Sequence, residues 1–236
     1  MTDADAARSV GVVVVAAGSG TRLGAGIPKA FVRVGGRSLL AHAVDRIAGL
    51  PSLAGLIVVL PADAIDPVVW PEDLSAALPA GAGVVAGGAQ RTDSVRAGLR
   101  ALDQETGGAC EVILVHDAAR AFTPLAVFER VIAAVRGGAA GAVPGQAVVD
   151  TIKVVDEHGV ITGTPERTLL RAVQTPQGFA ADVLRTAYAS GLAGTDDAAL
   201  VEALGGRVVV VEGDPMAFKV TTARDLERAE RLLAAG

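Results

Sequence analysis

Val12-Val13-Val14-Val15-Ala16-Ala17-Gly18-Ser19-Gly20-Thr21-Arg22, followed by Pro28-Lys29, is a β-branched run that breaks into a glycine-rich turn and then presents two cations. Residues 10–16 read as a buried first strand. Glycines let backbone N–H groups approach an anion with no Cβ in the way, and such concave turns favour phosphate. No Gly-Lys dipeptide occurs in the chain, so the P-loop pattern is absent. The spacing Gly18-x-Gly20-x-x-x-Gly24 also departs from the dinucleotide fingerprint, and no acidic residue stands near position 38 to take a ribose. The stretch reads as a site for a nucleoside triphosphate, held by backbone, Arg22 and Lys29.

Working outward, strands alternate with helices. Ser38 caps a helix running to Gly49, with Leu39, Leu40, Ala43, Val44 and Ile47 on one face. Residues 56–60 read as a second strand and 63–78, broken by Pro67 and Pro71, as an irregular crossover. Gly83–Ala86 is a third strand, and 92–102 a helix that Thr92 caps. Residues 112–115 form a fourth strand, running into His116-Asp117-Ala118-Ala119-Arg120, and 124–136 the next helix. The alternation predicts an α/β fold with a doubly wound, mostly parallel sheet whose ligands sit beyond the strand carboxyl ends. That rule sets Gly18, Gly88 and Asp117 on one rim. From 147 to 173 the pattern changes to alternating β-branched and polar residues (Val149, Thr151, Lys153, Val155) around a turn at Glu157-His158-Gly159, which reads as a protruding β-arm. Helices over 180–190 and 196–204, strand Val208–Glu212, the Lys219 segment and a helix from Thr222 complete the chain. No repeat or linker interrupts it, so 1–236 read as one domain with an arm.

Composition narrows the function. Hydrophobic residues make up 51% and aromatic residues 3%, so the core is built from Val, Leu, Ile and Ala. A net charge of −5 argues against a nucleic-acid partner, which needs a basic face. Cys110 is the lone cysteine, which excludes an intrachain disulfide or a cysteine-based zinc site. With no apolar run of membrane-spanning length and an acidic start, the reading is a cytoplasmic protein without a membrane partner. Lys29, Lys153 and Lys219 are the only lysines among 21 basic residues, and all three fall in segments that look chemical on other grounds. Asp117 suits Mg²⁺ beside a triphosphate, because a hard cation prefers carboxylate and phosphate oxygens. Arg120 on the same loop is placed to reach a phosphate, and Gly88 and Ser94 on a second glycine loop to admit a flat base. No Ser/His/Asp set or H-E-x-x-H pattern appears, so covalent catalysis and zinc hydrolysis have no support.

Taken together, Ala16-Ala17-Gly18-Ser19-Gly20-Thr21-Arg22, Pro28-Lys29, Arg91-Thr92-Asp93-Ser94-Val95, Val115-His116-Asp117-Ala118-Ala119-Arg120, Asp150-Thr151-Ile152-Lys153, Thr175-Pro176-Gln177, Thr195-Asp196-Asp197 and Phe218-Lys219-Val220-Thr221 resemble, in order, the motifs of the cytidylyltransferases of the non-mevalonate isoprenoid pathway. The His-Asp-Ala-Ala-Arg and Thr-Pro-Gln segments are the most specific of these. The resemblance implies a Rossmann-like nucleotidyltransferase sheet and transfer of CMP from CTP to 2-C-methyl-D-erythritol 4-phosphate, with release of pyrophosphate. It implies that Ala16, Ala17, Gly18, Gly88 and Ser94 hold the cytidine, and that Arg22 and Lys29 stabilise charge at the α-phosphate. It further implies that Asp117 ligates Mg²⁺ or a similar divalent cation. Lys219 and Arg167 would position the attacking phosphate, and Arg120, Thr151, Thr175 and Thr195 line the acceptor pocket. The arm would exchange across a homodimer, bringing Arg167 to its own or the partner's site. Val15, Ala89 and Ala121 depart from the family pattern, where proline, an acidic residue and proline are common. A ribitol-5-phosphate cytidylyltransferase shares most of these motifs. An NAD(P)-binding oxidoreductase and a non-catalytic nucleotide binder are the alternatives from other classes.

Overall fold

The structure is a computed structural model and describes residues 9–18, 27–192 and 194–234. Strand β1 is Val10–Val15; among the described residues that follow, a 3-10 turn at Lys29–Phe31 leads into a small hairpin, β2 (Arg33–Val34) and β3 (Arg37–Ser38). Helix α1, Leu39–Ala48, starts at Ser38, whose hydroxyl accepts from Ala41 N–H, and stops at Gly49. Strand β4, Leu53–Leu60, begins three residues before the predicted start, because parallel pairing with β1 carries it through Gly55. The crossover that follows is irregular as expected, with 3-10 turns at Ala62–Ala64 and Pro67–Val69 and a short helix α2, Glu72–Ala77.

Strand β5, Gly83–Ala86, leads into α3, Arg91–Thr106. This helix differs from the reading at both ends. Its cap is Gln90 rather than Thr92, with the Asp93 carboxylate accepting from Gln90 N–H. A polar last turn extends it to Gly107, which ends it at φ 62°. Strand β6, Val112–Asp117, includes His116 and Asp117, because Val14 and Val15 of β1 stand opposite them. Asp117 is therefore the last residue of a strand, not the first of a loop. Helix α4 is Leu125–Arg136.

Strand β7, Gly141–Ala147, precedes the arm, whose own hairpin is β8 (Val154–Val155) and β9 (Ile161–Gly163). The turn is tied by Asp156 Oδ1, which accepts from the N–H groups of His158 and Val160, both at 2.9 Å. The chain returns through β10 (Arg171–Val173) and β11 (Gln177–Ala180), both antiparallel to β7. Helices α5 (Ala181–Ala189) and α6 (Asp197–Ala203), strand β12 (Val208–Glu212) and helix α7 (Ala223–Ala234) follow.

In the main sheet β5, β4, β1 and β6 lie parallel in that order, and antiparallel β11 joins β6 to β7, which in turn pairs with parallel β12. The sheet is α/β and mostly parallel, as predicted. The period of two in each strand splits the core. Val10, Val12, Val14, Leu56, Val58 and Leu114 pack under α1 and α4, while Val13, Ile57, Val59, Ile113 and Val115 pack under α3, α5 and α6. A third cluster joins Val34, Leu39, Phe122, Val220 and Ala229, seating α7 against the β2–β3 hairpin.

Candidate active site

The carboxyl ends of β1, β5 and β6 open onto one cavity of ≈ 500 Å³, a size suited to a small molecule. The sheet delivers its backbone there directly: Ala16 N–H donates to Val59 C=O, Gly87 N–H to Leu60 C=O and Ala118 N–H to Val15 C=O. Ala16, Ala17 and Gly18 form one wall, and Gly88, Gln90, Arg91 and Ser94 another. Lys29 enters from its 3-10 turn, and Lys219 from the segment before α7.

The second glycine loop is narrow for a steric reason. A Cβ on Gly87 would stand 2.6 Å from Ala17 Cβ, and one on Gly88 2.4 Å from Asp93 Cβ. Ser94 is buried, and its hydroxyl accepts from Gly88 N–H and donates to Gln90 C=O, so it shapes the loop.

Asp117 lies at the cavity's centre of charge. Lys219 Nζ donates to its Oδ2 at 2.7 Å, and Arg91 stands 3.6 Å from its Oδ1. Burial pushes its pKa up, but Lys219 and Arg91 outweigh burial and hold it below 3.8, so it is a carboxylate at neutral pH. Two observations fix its backbone and underlay. Asp117 N–H donates to Thr175 Oγ1, and that hydroxyl shares a hydrogen bond with His116 Nδ1 at 3.1 Å. Among the described residues the rim brings Gly18, Gly88, two lysines, Arg91 and one carboxylate together, a set whose charge suits a polyanion.

The sequence matches the family described as IspD, 2-C-methyl-D-erythritol 4-phosphate cytidylyltransferase, over residues 10–235. The chain belongs to the 2-C-methyl-D-erythritol 4-phosphate cytidylyltransferase family. A curated relative of that name from Nocardia farcinica is 52% identical over 235 residues, covering 99% of this chain and 97% of the relative. One from Rhodococcus opacus is 49% identical, covering 95% of each. The crystal structure of the 2-C-methyl-D-erythritol 4-phosphate cytidylyltransferase of Thermus thermophilus superposes with TM-score 0.76 at 37% identity, covering 96% of this chain and 99% of that one. The 4-diphosphocytidyl-2C-methyl-D-erythritol synthase of Anaerococcus prevotii gives 0.81 at 28%, covering 97% and 99%.

Of the residues singled out in this cytidylyltransferase sequence, Ala16, Ala17, Gly18, Lys29, Gly88, Ser94, Asp117 and Lys219 line the cavity together. Arg22 lies outside the described residues. The others stand apart from the lining. Thr175 is buried behind Asp117. Arg120 spends its guanidinium on backbone, donating to Ala217 C=O at 2.6 Å and Val173 C=O at 3.2 Å. It thereby ties the foot of the arm to the Lys219 segment. Thr151 and Thr195 are exposed, and Arg167, on the arm, donates to Val149 C=O. Lys153 donates to Thr164 Oγ1, also on the arm.

Arg91 was missed by the sequence reading. A guanidinium on the first residue of a helix opposes the helix dipole, so an acidic partner elsewhere in the chain is the signal to look for. Asp197 is that partner, and with burial opposing, it raises the Arg91 pKa further above an ordinary arginine's.

Proposed function

We propose that this cavity performs the family's reaction on CTP and 2-C-methyl-D-erythritol 4-phosphate, a step of isoprenoid biosynthesis. The observation that carries the reading is the meeting of Ala16, Ala17 and Gly18, the Gly88–Ser94 loop, Lys29, Lys219 and Asp117 in one cavity of a chain that matches the family over residues 10–235. A phosphate oxygen of the acceptor attacks the α-phosphorus of CTP. The new P–O bond forms as the bond from the α-phosphorus to the bridging oxygen breaks, and pyrophosphate leaves with that electron pair. The nucleophile is already an anion, so no general base is required. His116, driven by burial to a pKa of about 4, is neutral and takes no part in proton transfer.

The chain's contribution is therefore position and charge. Backbone at Ala16, Ala17, Gly18 and Gly88 would hold the nucleotide. Lys29, with Arg22, would neutralise the α-phosphate and the leaving group, and Lys219 would leave Asp117 to meet the incoming phosphate. Asp117 suits Mg²⁺ or a similar ion. Among the described residues no three His, Cys, Asp or Glu cluster, and one carboxylate plus substrate phosphates is how Mg²⁺ is held in such sites. The ion would supply charge neutralisation across the phosphates. We assign the protein to the cytoplasm, where its −5 charge and the absence of a long apolar helix among the described residues are at home. We also propose a homodimer joined through the arm, a dimerisation element of the single domain. Val149, Val154, Val155, Val160, Ile161 and Leu169 are exposed there, an apolar surface that the chain itself does not cover.

Pyrophosphate release tests the reading. The expected result is turnover with CTP and methylerythritol phosphate, loss with ATP, GTP or UTP, and loss on chelating divalent ions. Preference for ribitol 5-phosphate would move the acceptor assignment, and reaction with every nucleotide would overturn the cytidine site.

A further inference from the structure

Arg91 carries a role that the reaction chemistry leaves unassigned. Its two terminal nitrogens donate to Asp197 Oδ1 and Oδ2 at 2.9 and 2.7 Å. Asp197 is 0% exposed, and Tyr188 donates its hydroxyl to the same Oδ1. A fork on a buried carboxylate is a rigid joint, because separating the pair strands a charge inside the protein. The joint spans the first residues of two helices, α3 and α6. One of the same nitrogens lies 3.6 Å from Asp117 Oδ1. Among the described residues Lys219 is a second cation on Asp117; it holds it by a single contact and is 43% exposed, so it is freer to leave than the forked Arg91.

The first turn of α3 also sets the nucleotide loop. Gly88 N–H is held by Ser94, Gln90 N–H by Asp93, and Gly87 packs against Ala17 with no room for a methyl group. A small movement of this turn is therefore passed to both glycine walls.

We propose that Arg91 is a positioning residue for cytidylyl transfer. Clamped by Asp197 at the head of α6, it fixes the start of α3, and with it the Gly87–Gln90 loop, at a set distance from Asp117. It acts through the loop and Asp117, because both of its terminal nitrogens are committed to the buried Asp197 and one of them also faces Asp117. This inference rests on the cytidylyl-transfer reading of the cavity.

The test uses Arg91→Lys, which keeps the charge and removes the fork, and Asp197→Asn, which keeps the shape and removes the charge. Asp103→Asn is the packing control. It removes the charge from the Arg185–Asp103 tie at the far end of α3 and touches neither Asp117 nor the loop. Each is compared with the native chain for unfolding, CTP affinity by calorimetry without acceptor, and kcat and KM for both substrates.

The expected result is folded Arg91→Lys and Asp197→Asn proteins that bind CTP roughly tenfold more weakly and raise KM for CTP, with the acceptor KM changed less than about threefold. The double variant should be no worse than the poorer single one, as for two halves of one joint. Asp103→Asn should bind CTP like the native chain. Native CTP affinity in either folded variant overturns the proposal. So does an equal loss in Asp103→Asn, or failure of both variants to fold, since the pair is then only a strut. If the native chain binds CTP but releases no pyrophosphate with methylerythritol phosphate, the acceptor reading falls, while the calorimetric comparison still decides Arg91.

Discussion

His116 lies one residue from the cavity carboxylate Asp117, 1% exposed, with its ring against Phe128. Burial, against the opposing pull of Asp117, lowers its pKa from 6.5 to about 4. Between those values the unfolded chain takes up a proton that the folded one refuses. Its stability is thus fully present above pH 6.5 and is lost as the pH falls toward 4. The expected loss across that window is about 3 kcal/mol, read from urea unfolding at successive pH values. His116→Gln should flatten the dependence, and an unchanged slope would place the acid-sensitive group elsewhere. At this scale most of the cavity was legible. Glycine turns, scarce lysines and a carboxylate at a strand end announce phosphate chemistry by residue type alone. Arg91 was not legible, because its partner Asp197 is 106 residues away and only folding joins them.

Helix α3 shows how an element is decided by what it lies on. Gly98 sits in its middle, and a Cβ there would come 2.4 Å from Val13 Cγ1 and 2.9 Å from Val59 Cγ2. By intrinsic propensity Gly→Ala in a helix gains about 1 kcal/mol. Overpacking against two buried strands costs about 1–3 kcal/mol and outweighs that gain. Gly98→Ala should therefore lower the unfolding midpoint, and a raised midpoint would mean that α3 sits looser on the sheet. The strands β1, β4, β5 and β6 were readable as β-branched runs. Strand β7 and its antiparallel neighbour β11 were not. Gly141–Ala147 carries Gly145 and Pro144, and Gln177–Ala180 is four residues long, so neither has a periodic signal of its own. Their pairing partners across the sheet make them strands.

At the scale of the whole molecule the arm belongs to the proposed homodimer. Arg167 lies on it and is absent from the lining of the chain's own cavity, whereas Lys29 lines that cavity. If the proposed homodimer shares sites through its arms, Arg167→Ala and Lys29→Ala are each inactive alone. Mixed subunits should then recover about a quarter of native activity, because half the dimers are mixed and one of their two sites is intact. Demonstrated mixed dimers without recovery would mean that each site is built within one chain.

The order of the parallel strands β1, β4, β5 and β6 and of the helices between them, the rim at their carboxyl ends and the residue types that meet there were determined by sequence. These depend on local periodicity, on turn residues and on side-chain charge, all of which are written along the chain. Tertiary structure alone decided that Asp117 ends a strand between Lys219 and Arg91, and that Thr175 backs it. It also decided that Arg120 braces backbone and that Arg91 is locked to a buried Asp197. Each of those contacts joins segments distant in sequence. Its energy comes from burial and pairing that do not exist until the sheet has brought the partners together.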